Sequence, residues 1–499
     1  MQTVSPLSPV PPSRKWGAML GIGLGVLMST LDGSIVNISL PTLVEALDTT
    51  FATVQWVVLS YMLVITSMML GVARLGDMLG KKRLYMTGLA LFTFGSLLCG
   101  LSPTVGALIA ARAVQGFGAV MMVALGTAII TEVFPASERG RALGIIGSIV
   151  SIGIASGPTI GGIMIGLAGW HSVFLVNVPL GIVAFLVVSR VVPPSARGAP
   201  GQRFDFVGAA ILLATLAAYT LGMTFGQNDG FGGGLPLALL LAAAGGLALF
   251  LVVESRVPQP MIDLGLFRNV LFGVNLLMAF LMFIVLAGQF IFPFFLELVK
   301  GYSTLQVGLM IAIVPIGMGL TSPLSGALAD RFGSRVISMI ALMILAGACL
   351  LISTLTVDVD VVGYLLRVAP LGVGIGFFQS PNNSAIMGAV PRERLGVASG
   401  LMALSRTLGQ TTGMPLMGAL FTMLVVSTAA LPAGADVTAA PPEALVAGVT
   451  GVFRTAAVVI LVATALAALA WRIDHQRQRA APVAEAIAAP PSSPSSVGG

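Results

Sequence analysis

Runs of roughly 20 predominantly apolar residues follow one another along this chain, separated by short loops rich in Gly, Pro and charge. A helix of that length crosses the hydrocarbon core of a bilayer, and in lipid only helices and closed barrels satisfy their own backbone. The spacing predicts fourteen spans, near residues 18–38, 53–73, 84–101, 105–131, 140–167, 172–192, 206–225, 236–254, 271–298, 304–329, 336–356, 360–388, 396–427 and 447–471. Composition agrees, because 57% of the residues are hydrophobic and 9% charged, against about a quarter charged in a soluble domain. The expected fold is an all-α integral membrane protein of the cell membrane. Two six-helix bundles, 17–195 and 270–472, flank two further helices at 205–255. The Pro/Ser-rich start, 1–16, and the Ala/Pro/Ser-rich end, 473–499, are expected to remain disordered.

Lys and Arg accumulate in cytoplasmic loops, which makes orientation testable. With both termini in the cytoplasm, 20 of the 25 Lys and Arg fall inside and only Lys300 and Arg454 outside, while Arg112, Arg367 and Arg406 lie within spans. One missed helix would place half of these loops on the wrong side. The net charge of +6 is thus spread by topology and does not form a nucleic-acid patch. The N-terminus lacks the layout of a cleaved signal peptide, so the first span is expected to serve as the insertion signal. Cys99 and Cys349, both inside apolar runs, with His171 and His475, offer no metal-ligand spacing and no disulfide framework. Neither a nucleophile with its base nor a Walker A loop is present, so the reading is neither enzyme nor ATP-driven pump.

The two halves repeat. Pro135-x4-Gly140-x-Ala142-x-Gly144-x8-Gly153-x3-Gly157 returns without a gap as Pro391-x4-Gly396-x-Ala398-x-Gly400-x8-Gly409-x3-Gly413. Arg112-x3-Gly116-x-Gly118 is echoed by Arg367-x4-Gly372-x-Gly374, and Asp77-x2-Gly80 by Asp330-x2-Gly333. Parallel six-helix repeats with a site between them are a transporter architecture.

A charge at the bilayer centre costs about 2.5 kcal/mol or more, so each one kept there needs a reason. Asp32 lies about 15 residues, roughly 22 Å, into a core of about 30 Å from the cytoplasmic side, and Arg112 about 8 residues, roughly 12 Å, from the outside. Their matched depth predicts a pair. An acid whose exposure alternates between the two sides can load and release a proton, which makes Asp32 the proton-coupling candidate and Arg112 its partner; a static bridge that fixes packing is the alternative. Glu132 falls near the cytoplasmic mouth, where a plain helix-end acid is as good a reading. Helix 5 carries Gly144, Gly153, Gly157, Pro158, Gly161 and Gly162, and three of these, 153, 157 and 161, share one face that lets another backbone approach. The loop between helices 2 and 3 carries Arg74, Gly76, Asp77, Gly80, Lys81 and Arg83. Its Asp can accept a helix N-terminus or a neighbouring cation, while the basic run holds the loop at the anionic leaflet. Asn37, Gln115, Asn275, Gln289, Gln379 and Arg406 are candidate substrate-cavity residues, with interhelical hydrogen bonding as the alternative. The Met/Phe-rich stretch from Met278 to Phe295 suits either a plastic apolar pocket or lipid-facing filler.

Leu31-Asp32-Gly33-Ser34-Ile35-Val36-Asn37-Ile38-Ser39-Leu40-Pro41, Arg112-Ala113-Val114-Gln115-Gly116-Phe117-Gly118 and the glycines from 144 to 162 resemble, over roughly residues 17 to 471, the fourteen-span drug/proton antiporter branch of the major facilitator superfamily. The resemblance implies two rocking bundles around a central cavity. Inward proton flow, with no cofactor, would then export amphipathic, often cationic, small molecules, and the chain would work as a monomer among membrane lipids. A dedicated exporter of one endogenous metabolite uses the same scaffold. Ala73 replaces the Gly that usually opens the helix 2–3 motif, and Trp170-His171-Ser172 replaces the more usual Trp-Arg-Trp. Asp32→Asn and Arg112→Ala are both expected to lose gradient-driven transport while the protein stays folded.

Overall fold

The computed structural model describes residues 12–488 except 50, 195–203, 230, 259, 261, 303, 431 and 433–439. Among these, fourteen helices are long and apolar enough to cross a membrane. They are α1 (Pro12–Ala46), α2 (Phe51–Leu79), α3 (Lys81–Gly100), α4 (Val105–Val133), α5 (Arg139–Ala168) and α6 (His171–Val191). The inserted pair is α7 (Phe206–Asp229) and α8 (Gly234–Glu254). There follow α9 (Val270–Val299), α10 (Gln306–Phe332), α11 (Ser334–Ile352), α12 (Val361–Gly388), α13 (Leu395–Thr428) and α14 (Pro442–Ala488). With an even number of spans, both chain ends emerge on one face, called here the terminal face.

The helix ends follow local chemistry. Thr104 accepts from the Ala107 amide at 3.2 Å and Asp360 from the Gly363 amide at 2.9 Å, each capping a free N-terminus. Gly80 and Gly333, at φ 97° and 90°, turn the chain between α2 and α3 and between α10 and α11, in a region of backbone space that side chains disfavour. The repeated Asp-x2-Gly spacing thus marks two equivalent tight turns. α14 runs on to Ala488. Alanine, frequent beyond 479, has the highest helix propensity, and a helix already formed extends at little cost. Residues 1–11 and 489–499 lie outside the described residues.

Each bundle has its own core. Tyr85, Phe92, Met122 and Leu125 centre the first, and Phe292, Phe295, Tyr364 and Phe453 the second, where the Phe292 and Phe453 rings stack at 5.1 Å. Met278, Met282, Phe283, Phe292 and Phe295 are all buried in that second core. These buried side chains bring α9, α12 and α14 together, while Phe280, Leu281, Leu286 and Phe290 of the same stretch are only partly buried.

The bundles meet along two seams, α2 with α13 and α5 with α10. Both contacts lie in the half nearest the terminal face. A Cβ on Gly144 would sit 2.5 Å from the Ser322 carbonyl of α10, and one on Gly396 2.7 Å from the Ala73 carbonyl of α2. Nearer the far face, α5 and α13 turn to helices of their own bundles. Gly153, Gly157 and Gly161 pack on Thr30, Ser34 and Ile35 of α1, and Gly409 and Gly413 on Phe280 and Ile284 of α9. The face predicted from glycine spacing thus belongs to the α1–α5 contact, while Gly162 fronts open space. Gly157→Leu would drive its side chain into Ser34 and cost about 1–3 kcal/mol; thermal unfolding of purified protein should show a lower midpoint.

Candidate functional site

Asp32 and Arg112 come into direct contact inside the first bundle. Arg112 Nη1 donates to Asp32 Oδ2 at 2.7 Å, and each residue is 1% exposed. A buried carboxylate is tolerated only when paired and fully hydrogen-bonded. Here Gln115 Nε2 and Asn177 Nδ2 both donate to Oδ1, at 2.9 and 3.0 Å. Arg112 is held in turn: Nε donates to the Val57 carbonyl at 3.0 Å, Nη1 to Gln115 Oε1 at 2.6 Å, and the guanidinium lies 4.0 Å from the centre of the Tyr61 ring. Gln115 Nε2 also donates to Ser96 Oγ at 2.7 Å. Helices α1, α2, α3, α4 and α6 all contribute, so one acid sits at the junction of five rods. The fork of Arg suits this role, since lysine has neither its planar face nor its spread of donors.

Of the two fates read for Gln115, substrate cavity or interhelical hydrogen bonding, the structure shows the second: it is fully buried in this network, where the dry carboxylate needs its amide. Asn177 was missed altogether. It begins the second segment of α6 after a break at Val176, and its only sequence signal was a lone amide in an apolar run.

A second arrangement joins the bundles at the terminal face. Asp77, near the end of α2, accepts from the Gly396 and Val397 amides at 2.8 and 2.9 Å, the first free N–H groups of α13. Asp330, its repeat on α10, accepts from the Gly140 and Arg141 amides of α5 at 2.9 and 3.0 Å. Each carboxylate therefore caps a helix of the opposite bundle, where backbone donors and the helix dipole both favour negative charge. Lys81 Nζ lies 2.9 Å from Asp77 and 2.6 Å from Glu132, so that Asp77 takes both a helix N-terminus and a cation. Glu132 is more than a helix-end acid, since it completes this buried cluster. Of the other loop residues, Arg74 is buried, Gly76 packs on Leu125 of α4, and Arg83 is exposed.

The remaining cavity candidates separate. Asn275 returns its amide to the Leu271 carbonyl of its own helix at 2.7 Å. Gln379 Oε1 and Gln289 Nε2 are buried without a hydrogen-bond partner among the described residues. Arg406 Cζ lies 5.7 Å from the centre of the Phe283 ring. The side chains of Asn37 and Pro158 lie outside the described residues.

A family model described as Major Facilitator Superfamily matches residues 22–414 and, in a second match, 278–496. The chain belongs to the major facilitator superfamily. As a superfamily member it is similar to the riboflavin transporter RibZ of Clostridioides difficile, at 34% identity over 82% of this chain and 88% of that one. It is equally similar, at 34% identity over 82% of this chain and 76% of the other, to the multidrug resistance protein Stp of Mycobacterium tuberculosis. The tetracenomycin C resistance and export protein of Streptomyces glaucescens is 32% identical over 82% of this chain and 76% of that protein. Among solved structures, the human organic anion transporter MFSD10 shares the superfamily fold with a TM-score of 0.65 and 18% identity, over 92% of this chain and all of that one (100%). The membrane-spanning helices and the family match make this a membrane transporter.

Proposed function

We propose that the chain is a proton-driven exporter of amphipathic small molecules that works by alternating access, as a monomer in the cell membrane with both termini in the cytoplasm. The observation that carries the reading is the sealed Asp32 carboxylate, a titratable group kept inside a membrane bundle at the junction of five helices. Keeping such a group there is costly, and moving a proton on and off it is the use that a gradient-driven carrier makes of it. Relatives whose names record drug resistance and export support the outward direction. The excess of Lys and Arg in loops on the terminal face supports the orientation.

In this arrangement the bundles are latched at the cytoplasmic face by Asp77 and Asp330, and the space between them opens away from it. Opening the cytoplasmic side breaks four charge-assisted amide bonds. Protonation at Asp32 would shift the packing of α1 and α4 and so bias that equilibrium. A proton crossing about 100 mV supplies about 2.3 kcal/mol from the potential alone, enough to sustain a useful solute gradient.

The test is dye accumulation in inverted vesicles under an imposed pH gradient. Uptake should follow the gradient and stop on addition of a protonophore; uptake indifferent to the protonophore contradicts the reading. A further expected result concerns the latch. Asp77→Ala removes two hydrogen bonds to a charged acceptor, each worth about 1.5–3 kcal/mol, and should raise cytoplasmic accessibility about tenfold or more. A cysteine at Ser399, buried near the α2–α13 seam, reports this by its rate of maleimide labelling in inverted vesicles, since Cys99 and Cys349 are both buried.

A second reading, export of a single endogenous metabolite, is favoured by the 34% identity to a riboflavin transporter. A substrate competition panel separates the two, because a dedicated exporter is inhibited by one chemical class only.

A further inference from the structure

The charged groups of the second bundle are distributed unlike those of the first. Asp32 in the first bundle is fully occupied by Arg112, Gln115 and Asn177. In the second, α9 from Val270 to Ala287, α12 and α13 contain no acidic residue at all. The acids on the other neighbouring helices, Asp77, Glu132 and Asp330, are engaged at the terminal face with Lys81 or with helix amides. Arg406, near the middle of α13, is partly buried, makes no hydrogen bond or ion pair among the described residues, and touches the Phe283 ring as its only charged-group contact. An arginine at that depth without a counter-ion is a cost that water alone must offset.

The side of α13 that carries Arg406 follows from its neighbours. Successive residues advance about 100° around a helix. Gly400 faces Ala73 of α2, Gly409 faces Phe280 and Phe283 of α9, and Thr412 bonds the Tyr219 hydroxyl of α7. Between the α2 and α9 directions run two arcs. Thr412 and the inserted helices occupy one; Arg406 and, a turn farther from the terminal face, the exposed Gln410 occupy the other, on the side of α13 away from the inserted helices. Gly400, in the closed seam, lies only about 9 Å along the axis below Arg406. The guanidinium therefore lies just beyond the closed seam on its far-face side, with exposed Gln410 and Met414, the latter 43% exposed, above it.

Resting on the exporter reading, we infer that Arg406 is the anion-recognition residue of the substrate cavity, and that the preferred cargo is an aromatic amphipath bearing a carboxylate or phenolate, not a cation. When the bundles exchange their closed ends, water leaves the floor of the cavity, and the cation then requires a negative partner that no protein side chain supplies. A substrate anion provides it in a planar, two-pronged geometry that arginine favours. Phe283, already against the guanidinium, offers a ring on which an aromatic cargo can stack.

The test uses two xanthene dyes of one ring system, fluorescein as the anion and rhodamine 6G as the cation, with binding to detergent-purified protein read by fluorescence anisotropy. Wild type should bind fluorescein more tightly. Arg406→Gln should weaken fluorescein at least about tenfold, equivalent to about 1.4 kcal/mol, and leave rhodamine 6G unchanged or tighter, while Arg406→Lys should retain part of the fluorescein affinity. A wild type that prefers rhodamine 6G, or binds neither dye, overturns the inference, as does equal loss of both dyes in Arg406→Gln. Thermal unfolding of each variant distinguishes lost recognition from lost folding. Because binding needs no gradient, the exporter reading fails separately: dye uptake by inverted vesicles that ignores a protonophore would sink that reading and leave the anisotropy result standing.

Discussion

Asp32→Asn should abolish pH-gradient-driven accumulation of substrate while substrate exchange across the vesicle membrane, run without a gradient, persists. Asparagine keeps an oxygen for Gln115 and Asn177, which donate to Asp32 at 2.9 and 3.0 Å, so the junction of α1, α4 and α6 keeps its shape. What it cannot do is exchange a proton at this position. Arg112 loses its counter-ion, and breaking a buried pair of this kind costs about 3–5 kcal/mol, softened here by the Val57 carbonyl, Gln115 and the Tyr61 ring, which still hold the guanidinium. A lower unfolding midpoint is therefore expected alongside intact exchange. Gradient-driven accumulation at the wild-type level would remove Asp32 from the mechanism and leave the static-bridge alternative.

Arg112→Ala should be the more damaging substitution, and its effect should be partly reversed by adding Asp32→Asn. Removing the arginine takes away four contacts and leaves a carboxylate with 1% exposure facing a void. The direct contact thus changes the sequence-based expectation that this variant folds normally: a loss of about 3–5 kcal/mol should reduce the yield of folded protein. In the double variant the uncompensated charge is gone, so the two substitutions should be non-additive, with an interaction energy of about 1–3 kcal/mol. Strict additivity in thermal unfolding would mean that the pair does not carry the local packing.

How much of this was legible before the structure depends on the kind of signal. The number and placement of spans were, because lipid imposes a length and a polarity on every crossing segment. The pairing of Asp32 with Arg112 followed from depth alone, since two opposite charges at one level in a low-dielectric medium seek each other. The duplicated Asp77 and Asp330 motifs were visible as equivalents, yet repetition says nothing about contact. That each caps a helix in the other bundle, Asp77 reaching Gly396 across 319 positions, required the fold. Asn177 stayed hidden because one amide in an apolar helix has many ordinary fates. For the same reason, only the fold chose interhelical bonding over a cavity for Gln115. The direction of Arg406 was out of reach too, as hydropathy cannot tell a helix face turned to lipid from one turned to a cavity.

The central claim is that a proton on Asp32 and a solute in the cavity are tied to one another. The most direct measurement is pH-electrode recording of proton release when a transported dye is added to purified protein in weakly buffered detergent. Wild type should release protons on binding, and Asp32→Asn should bind the dye and release none. Equal release from both, or none from wild type at saturating dye, would contradict the account.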